Sequence, residues 1–174
     1  KQTETKKVKN PETQELEDSE QSAYEPDCYL CPGNTRASGI VNPDYQGVWS
    51  FLNDFPSLSM DAYESGSAMG PYRTRSSRGI CEVVNYSPNH SRRLATMSVE
   101  QIREVVDGWA DIYARLGAQE DIKYPLIFEN HGTIMGNSHP HPHGQVCAYS
   151  EIPGLMVQPQ IRQFREYLEQ DGGC

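Results

Sequence analysis

The amino-acid sequence predicts an α+β fold with a mainly antiparallel sheet. Three observations carry that prediction. Short β-branched and aromatic runs are bounded by Pro, Gly and Asn-Asp turns. One long segment repeats its apolar residues at helical spacing. The elements follow one another as strand, strand, helix, strand, strand, helix.

Each element has its own reason. Residues 1–23 are Lys, Glu, Gln, Thr and Ser with almost nothing apolar, which predicts a mobile arm. YEPDCYLCPGN is turn-rich and holds Cys28 and Cys31 as a CxxC pair. GVWSFLNDF, 47–55, gathers Val48, Trp49 and Phe51 into a strand that ends at Asn53-Asp54. Residues 57–78 lack periodicity and are expected to form a loop, functional or disordered at that length. RGICEVVNYSP is a strand stopped by Pro88.

The clearest helix follows. Ser98 and Gln101 make a capping-box pair. Ile102, Val105, Val106, Trp109, Ile112, Tyr113 and Leu116 make one apolar stripe, and Gly117 is the expected C-cap. Gly108 inside the helix costs about 1 kcal/mol against alanine, which suggests close packing there. YPLIFENHG and GQVCAYSEI are two more strands, with Cys81 and Cys147 as buried apolar positions. Ile161, Phe164, Tyr167 and Leu168 mark a short amphipathic helix near 160–170.

The 174 residues suffice for one ordinary domain. Hydrophobic content is 36% and mean hydropathy −0.70, polar enough that part of the length is expected in tail and loop. The net charge of −9 argues against non-specific nucleic-acid binding, though a phosphorylated ligand needs only local donors. No apolar run is long enough to cross a bilayer, and the start carries no signal-peptide pattern. An odd count of five cysteines points to a reducing, cytoplasmic setting with metal-bound or free thiols. The start at Lys1 and the ending EQDGGC are expected of a piece of something longer.

Two features carry chemistry. Zinc takes four ligands in a tetrahedron, commonly thiolate and imidazole. Cys28 and Cys31 offer one pair, and His90 with the histidines of 139–143 offers the rest. The CxxC alone is equally compatible with a redox pair or no function. The second feature is HPHPHGQV, which spends three of five histidines at alternate positions. In an extended chain His139, His141 and His143 would share a face, stiffened by Pro140 and Pro142. Gly144 leaves room for a close approach by ligand or backbone, and the Gly/Asn/Ser loop before the histidines offers N–H groups to an anion. A histidine beside a phosphate cradle suggests nucleophilic catalysis through a phospho-histidine bond.

GNSHPHPHGQV resembles the active-site motif of the galactose-1-phosphate uridylyltransferases, the transferase branch of the histidine-triad superfamily. YEPDCYLCPGNTRASGIVNPDYQG, FLNDFPSL, YSPNHS and IFENHG resemble further family motifs in the right order, over about residues 24–153. The resemblance implies a histidine-triad-like half-domain at 24–153, with 154–174 as a helix beginning a second half. It implies transfer of a uridylyl group from UDP-glucose to galactose 1-phosphate, giving UDP-galactose by a ping-pong route. His143 would be the nucleophile, and Gln145 would stand where hydrolytic members carry a third histidine. Gly136, Asn137 and Ser138 would contact the phosphates; Asn53, Asp54 and Asn130 would hold the nucleotide and its ribose. Tyr29, Leu30 and Phe51 are equally placed to line the uracil pocket or to be ordinary core.

The same resemblance assigns Cys28, Cys31, His90 and His141 to a structural Zn2+, and turns His141 to the metal while His143 faces substrate. His131 and His139 receive no role. Asn137 stands where some members have cysteine. PGLMVQPQI holds no carboxylate for a second metal, so iron is not expected. The family's second half, and the basic stretch expected before Lys1, are not in this sequence; with them a homodimer is expected. Two other readings stand beside the transferase. One is a nucleoside-diphosphate-sugar phosphorylase, for example on ADP-glucose. The other is a non-catalytic, zinc-stabilised nucleotide-binding module.

Overall fold

The computed structural model describes residues 22–63, 66–69, 72–137 and 139–171. Through them the chain passes β1 (Trp49–Leu52), β2 (Gly66–Met69), β3 (Tyr72–Arg75), β4 (Gly79–Asn85), α1 (Val99–Gly117), β5 (Tyr124–Phe128), β6 (His143–Tyr149) and α2 (Gly154–Asp171). Most of the expected mobile arm and Ser138 lie outside the described residues.

The fold is α+β. Four strands form an antiparallel sheet in the order β1-β4-β6-β5. Alternation along the strands gives the sheet two different faces. Val84, Val146 and Ala148 turn toward α1 and pack with Val105, Ile112, Leu116 and Ile122. Glu82, on that side, accepts both Arg115 guanidinium nitrogens, at 2.9 and 2.6 Å. The opposite face carries Cys81, Val83 and Asn85 of β4 and His143, Gln145 and Cys147 of β6, paired across the ladder. The Cys28–Cys31 turn packs there, with Leu30 and Cys31 meeting Val83 and Phe51.

The α1 capping box forms as expected: Gln101 N–H donates to Ser98 Oγ, and Ser98 N–H to Gln101 Oε1. Gly108 faces Val48, and an alanine Cβ there would lie 2.7 Å from Val48 Cγ1. This is the close packing that the glycine suggests. The stripe is only partly core, since Ile102, Val106 and Tyr113 are exposed. Gly117 is not the C-cap. It closes the helix, and Ala118 caps it in right-handed conformation. The chain then turns through Gln119 N–H to Leu116 O and Ile122 N–H to Gln119 O, which returns Ile122 to the core.

Three further expectations change. The 57–78 loop contains the β2–β3 hairpin, which apolar alternation does not announce. β6 begins at His143 rather than Gly144. α2 starts well before 160, running through Pro159, which forfeits one backbone hydrogen bond. Ile161, Phe164, Tyr167 and Leu168 are all exposed on it. Among the described residues no helix is long and apolar enough to cross a membrane.

Candidate functional site

Cys28, Cys31, His90 and His141 converge, all buried, with their ligand atoms within 4.8 Å of one another. Cys28 Sγ and Cys31 Sγ lie 3.6 and 3.5 Å from His141 Nδ1, and Cys31 Sγ lies 3.6 Å from His90 Nδ1. Zinc bonds of about 2.3 Å to sulfur and about 2.05 Å to nitrogen, at tetrahedral angles, put sulfur and nitrogen about 3.6 Å apart. Three of the sulfur–nitrogen separations in the set therefore match a tetrahedral ion.

The surroundings prepare these ligands. Leu30 N–H points at Cys28 Sγ at 3.3 Å, and Cys31 N–H donates to Cys28 O. Asn42, 2% exposed, donates to Tyr29 O and Cys31 O; Asn34 donates to Glu25 O and Cys28 O. Tyr45 and Asn85 both donate to Leu30 O. Sequence reasoning missed these four residues. Asn34, Asn42 and Tyr45 signal only as amides or a phenol shortly after the cysteine turn, and Asn85, 55 positions from Leu30, has no local signal. His141 Nε2 lies 3.0 Å from Ser87 O, so its Nδ1 is left for the metal. Burial lowers His90 and is the main cause taking His141 down to about 4, so both are neutral ligands near pH 7. Burial also raises the Cys28 thiol to about 12, a shift that a metal cation would reverse.

The three alternate histidines do not share one face. Residues 139–142 bend, and the strand begins only at His143. His139 Nδ1 accepts the His141 N–H, and its ring meets Tyr29 edge-on at 4.3 Å. His141 is fully buried at the cysteines. His143 is half-buried on β6, its Nδ1 2.7 Å from the His141 carbonyl oxygen. Donation from Nδ1–H to that carbonyl leaves a lone pair on Nε2. Gln145 follows on the same face, opposite Val83 and Phe128. The space at Gly144 is taken by Tyr86 and by the Phe128 carbonyl, on the α1 side.

Before the histidines, Gly132 and Gly136 adopt positive φ around a 3₁₀ turn at Thr133–Met135. Asn137 N–H returns to Gly132 O, and Asn137 Oδ1 accepts the His139 N–H. Asn130 is half-buried at the mouth of this loop. Asn53 and Asp54 stand farther off: Asn53 donates to the Cys81 carbonyl, whereas His143 pairs with Asn85. Asn53 Oδ1 accepts the Phe55 N–H and ends β1. Asp54 accepts from Arg36 Nη1 and Ser38 N–H, both at 3.2 Å. The Arg36 guanidinium lies 4.0 Å over the Phe51 ring. Tyr29 is exposed, Phe51 half-buried, and Leu30 is core at 1% exposure. His131, at the surface, lies 3.4 Å from Glu129.

A family described as "Galactose-1-phosphate uridyl transferase, N-terminal domain" matches residues 2–153. The chain belongs to this family. A galactose-1-phosphate uridylyltransferase of Rattus norvegicus is 45% identical over 146 residues, 82% of this chain and 37% of that protein. One from Haemophilus influenzae is 36% identical over 160 residues, 91% of this chain and 45% of that protein. The chain thus spans less than half the length of these curated relatives. Among solved structures, a uridylyltransferase superposes with a TM-score of 0.69 at 22% identity, covering 88% of this chain and 48% of that one. An ADP-glucose phosphorylase from Arabidopsis thaliana reaches 0.65 at 20% identity, covering 88% and 49%. These two likenesses show a shared fold.

Proposed function

We propose that this chain carries the nucleotidyl-transfer centre of a UDP-glucose–hexose-1-phosphate uridylyltransferase. The observation that carries the reading is the His143 Nδ1 contact with the His141 carbonyl. Donation from Nδ1–H to that carbonyl fixes the tautomer that leaves the Nε2 lone pair for attack at phosphorus.

In this reading, His143 Nε2 attacks the α-phosphorus of UDP-glucose. The bond to the bridging oxygen breaks and glucose 1-phosphate leaves. The imidazole, now bonded at Nε2 and still protonated at Nδ1, is cationic, and the His141 carbonyl faces that charge. An oxygen of galactose 1-phosphate then attacks the same phosphorus. The P–N bond breaks, UDP-galactose leaves and His143 returns to its neutral form. Gln145 donates its amide N–H to a phosphoryl oxygen and offers no acidic proton to a leaving group. Gly136, Asn137 and Ser138 are the residues this reading assigns to phosphate contact. Asn53, Asp54 and Asn130, with Tyr29 and Phe51, belong to the nucleotide side, whereas Leu30 keeps the alternative role of core.

Zn2+ is the ion proposed for the Cys28, Cys31, His90 and His141 set, on the strength of its two-thiolate, two-imidazole donors. It would supply rigidity, since the carbonyl that orients His143 belongs to the ligand His141. A histidine-triad-like domain at 24–153, a homodimer and a cytoplasmic setting complete the proposal.

The test is intact mass after mixing with UDP-glucose and quenching at alkaline pH. One added uridylyl group, absent in His143→Ala, is the expected result. No adduct on a folded, zinc-loaded chain would remove the claim that this segment holds the centre. An adenylyl adduct from ADP-glucose alone would move the reading to the phosphorylase.

A further inference from the structure

We infer that Cys81 and Cys147 are a redox modification site: a pair of thiols placed to close into a reversible cross-strand disulfide on the sheet face that bears His143 and Gln145. Cys81 on β4 stands directly opposite Cys147 on β6. The Cys81 carbonyl accepts the N–H of Asn53, the residue just after β1, at 2.9 Å, so its backbone groups turn away from β6. The two cysteines are therefore a non-hydrogen-bonded pair, the kind whose Cα atoms lie about 4.5 Å apart. That separation falls within the range disulfides span. The sulfurs are already 3.7 Å apart, and Ser57 Oγ lies 3.5 Å from Cys81 Sγ. Neither thiol belongs to the metal set.

Ordinary burial explains one cysteine on a core face. It does not require two in register with sulfurs in contact. Burial, followed by its neighbour Cys81, holds the Cys147 thiol up at about 11. Cys147 therefore stays protonated near neutral pH and reacts slowly. The oxidant is a small hydroperoxide. One cysteine thiolate attacks the peroxide oxygen and the O–O bond breaks, giving a sulfenic acid and hydroxide. The second thiol attacks the sulfenic sulfur, the S–O bond breaks and water leaves. In total two thiols and one hydrogen peroxide give one disulfide and two waters. The link would tie β6 to β4 two residues from Gln145, and it would enclose everything from Glu82 to Val146 in the unfolded chain.

The test treats the zinc-loaded chain with excess hydrogen peroxide for hours, then alkylates it in denaturant and maps the peptides. The expected result is a linked peptide pair containing Cys81 and Cys147, lost on treatment with dithiothreitol and absent in Cys81→Ala. The linked sample should also have a higher denaturant midpoint, because the link restricts the unfolded chain. Full alkylation of both cysteines, in a sample where added glutathione has been oxidised, would overturn the inference. Linkage of either to Cys28, Cys31 or Cys174 would do so too. A linked sample with a lower midpoint would show that the link does not fit the native register of β4 and β6, with the same consequence. None of these outcomes depends on uridylyl transfer.

Discussion

Replacing Gly108 by alanine sets two effects of opposite sign against each other. Helix propensity alone makes Gly→Ala inside a helix stabilising by about 1 kcal/mol. The packing of α1 opposes it. An alanine Cβ would lie 2.7 Å from Val48 Cγ1, 2.9 Å from Cβ and 3.3 Å from Cγ2. Ordinary contact begins near 3.4 Å, so helix and strand must part by roughly 0.7 Å or Val48 must turn. Val48 leads directly into β1, is packed against the main core, and is stiff at χ1. Overpacking of this kind costs about 1–3 kcal/mol. The sum is a destabilisation of up to about 2 kcal/mol for Gly108→Ala, or a few degrees in Tm for a domain this size. Urea unfolding of the zinc-loaded chain measures it. The double variant Gly108→Ala with Val48→Ala should recover part of the loss, because the second change removes the clashing methyls. A Gly108→Ala chain about 1 kcal/mol more stable than wild type would refute the reasoning, and with it the tight seating of α1 on the strand.

Other perturbations test the site and its supports. Asn42→Ala leaves the Tyr29 and Cys31 carbonyls without their buried donor; it should cost about 2–4 kcal/mol and weaken zinc retention in a chelator competition, with all four ligands still present. Arg115→Leu strands the buried Glu82 carboxylate and should cost about 2 kcal/mol, discounted because the arginine is half exposed. Adding Glu82→Leu should restore most of that, and a double-mutant cycle with no coupling would show that the pair contributes nothing. Metal-free protein should lose stability as pH falls. His141 sits near 4 when folded against about 6.5 unfolded, so its contribution is complete above pH 6.5 and fades between 6.5 and 4. For a fully buried ring this is on the order of 3 kcal/mol. A flat profile of the metal-free midpoint across that window would count against the burial of His141.

Local interactions were legible in the chain itself. The capping box of α1 joins residues three apart, and Ser98 and Gln101 announce it without any fold. β4 and β6 declare themselves by composition, and Gly108 signals close packing without identifying Val48 as its partner. The β2–β3 hairpin stayed hidden because Gly66–Met69 and Tyr72–Arg75 show no apolar alternation. The exposed half of the α1 stripe was equally invisible, since periodicity marks an apolar face and not what covers it.

The site divides in the same way. Sequence by itself determined the donor types: two cysteines in one turn, histidines fixed between prolines, and a motif order that resembles one family. Only the tertiary structure decided which donors meet. Cys28 and His141 are 113 positions apart and become neighbours because β4, β6 and the cysteine turn share one sheet face. The bend at 139–142 then parts three similar histidines into a ring against Tyr29, a buried ring beside the two cysteines and a strand residue. Strand register likewise sets Cys81 opposite Cys147. The physical reason is range: propensity and capping act over a few residues, whereas register and face are set by the burial of the whole sheet.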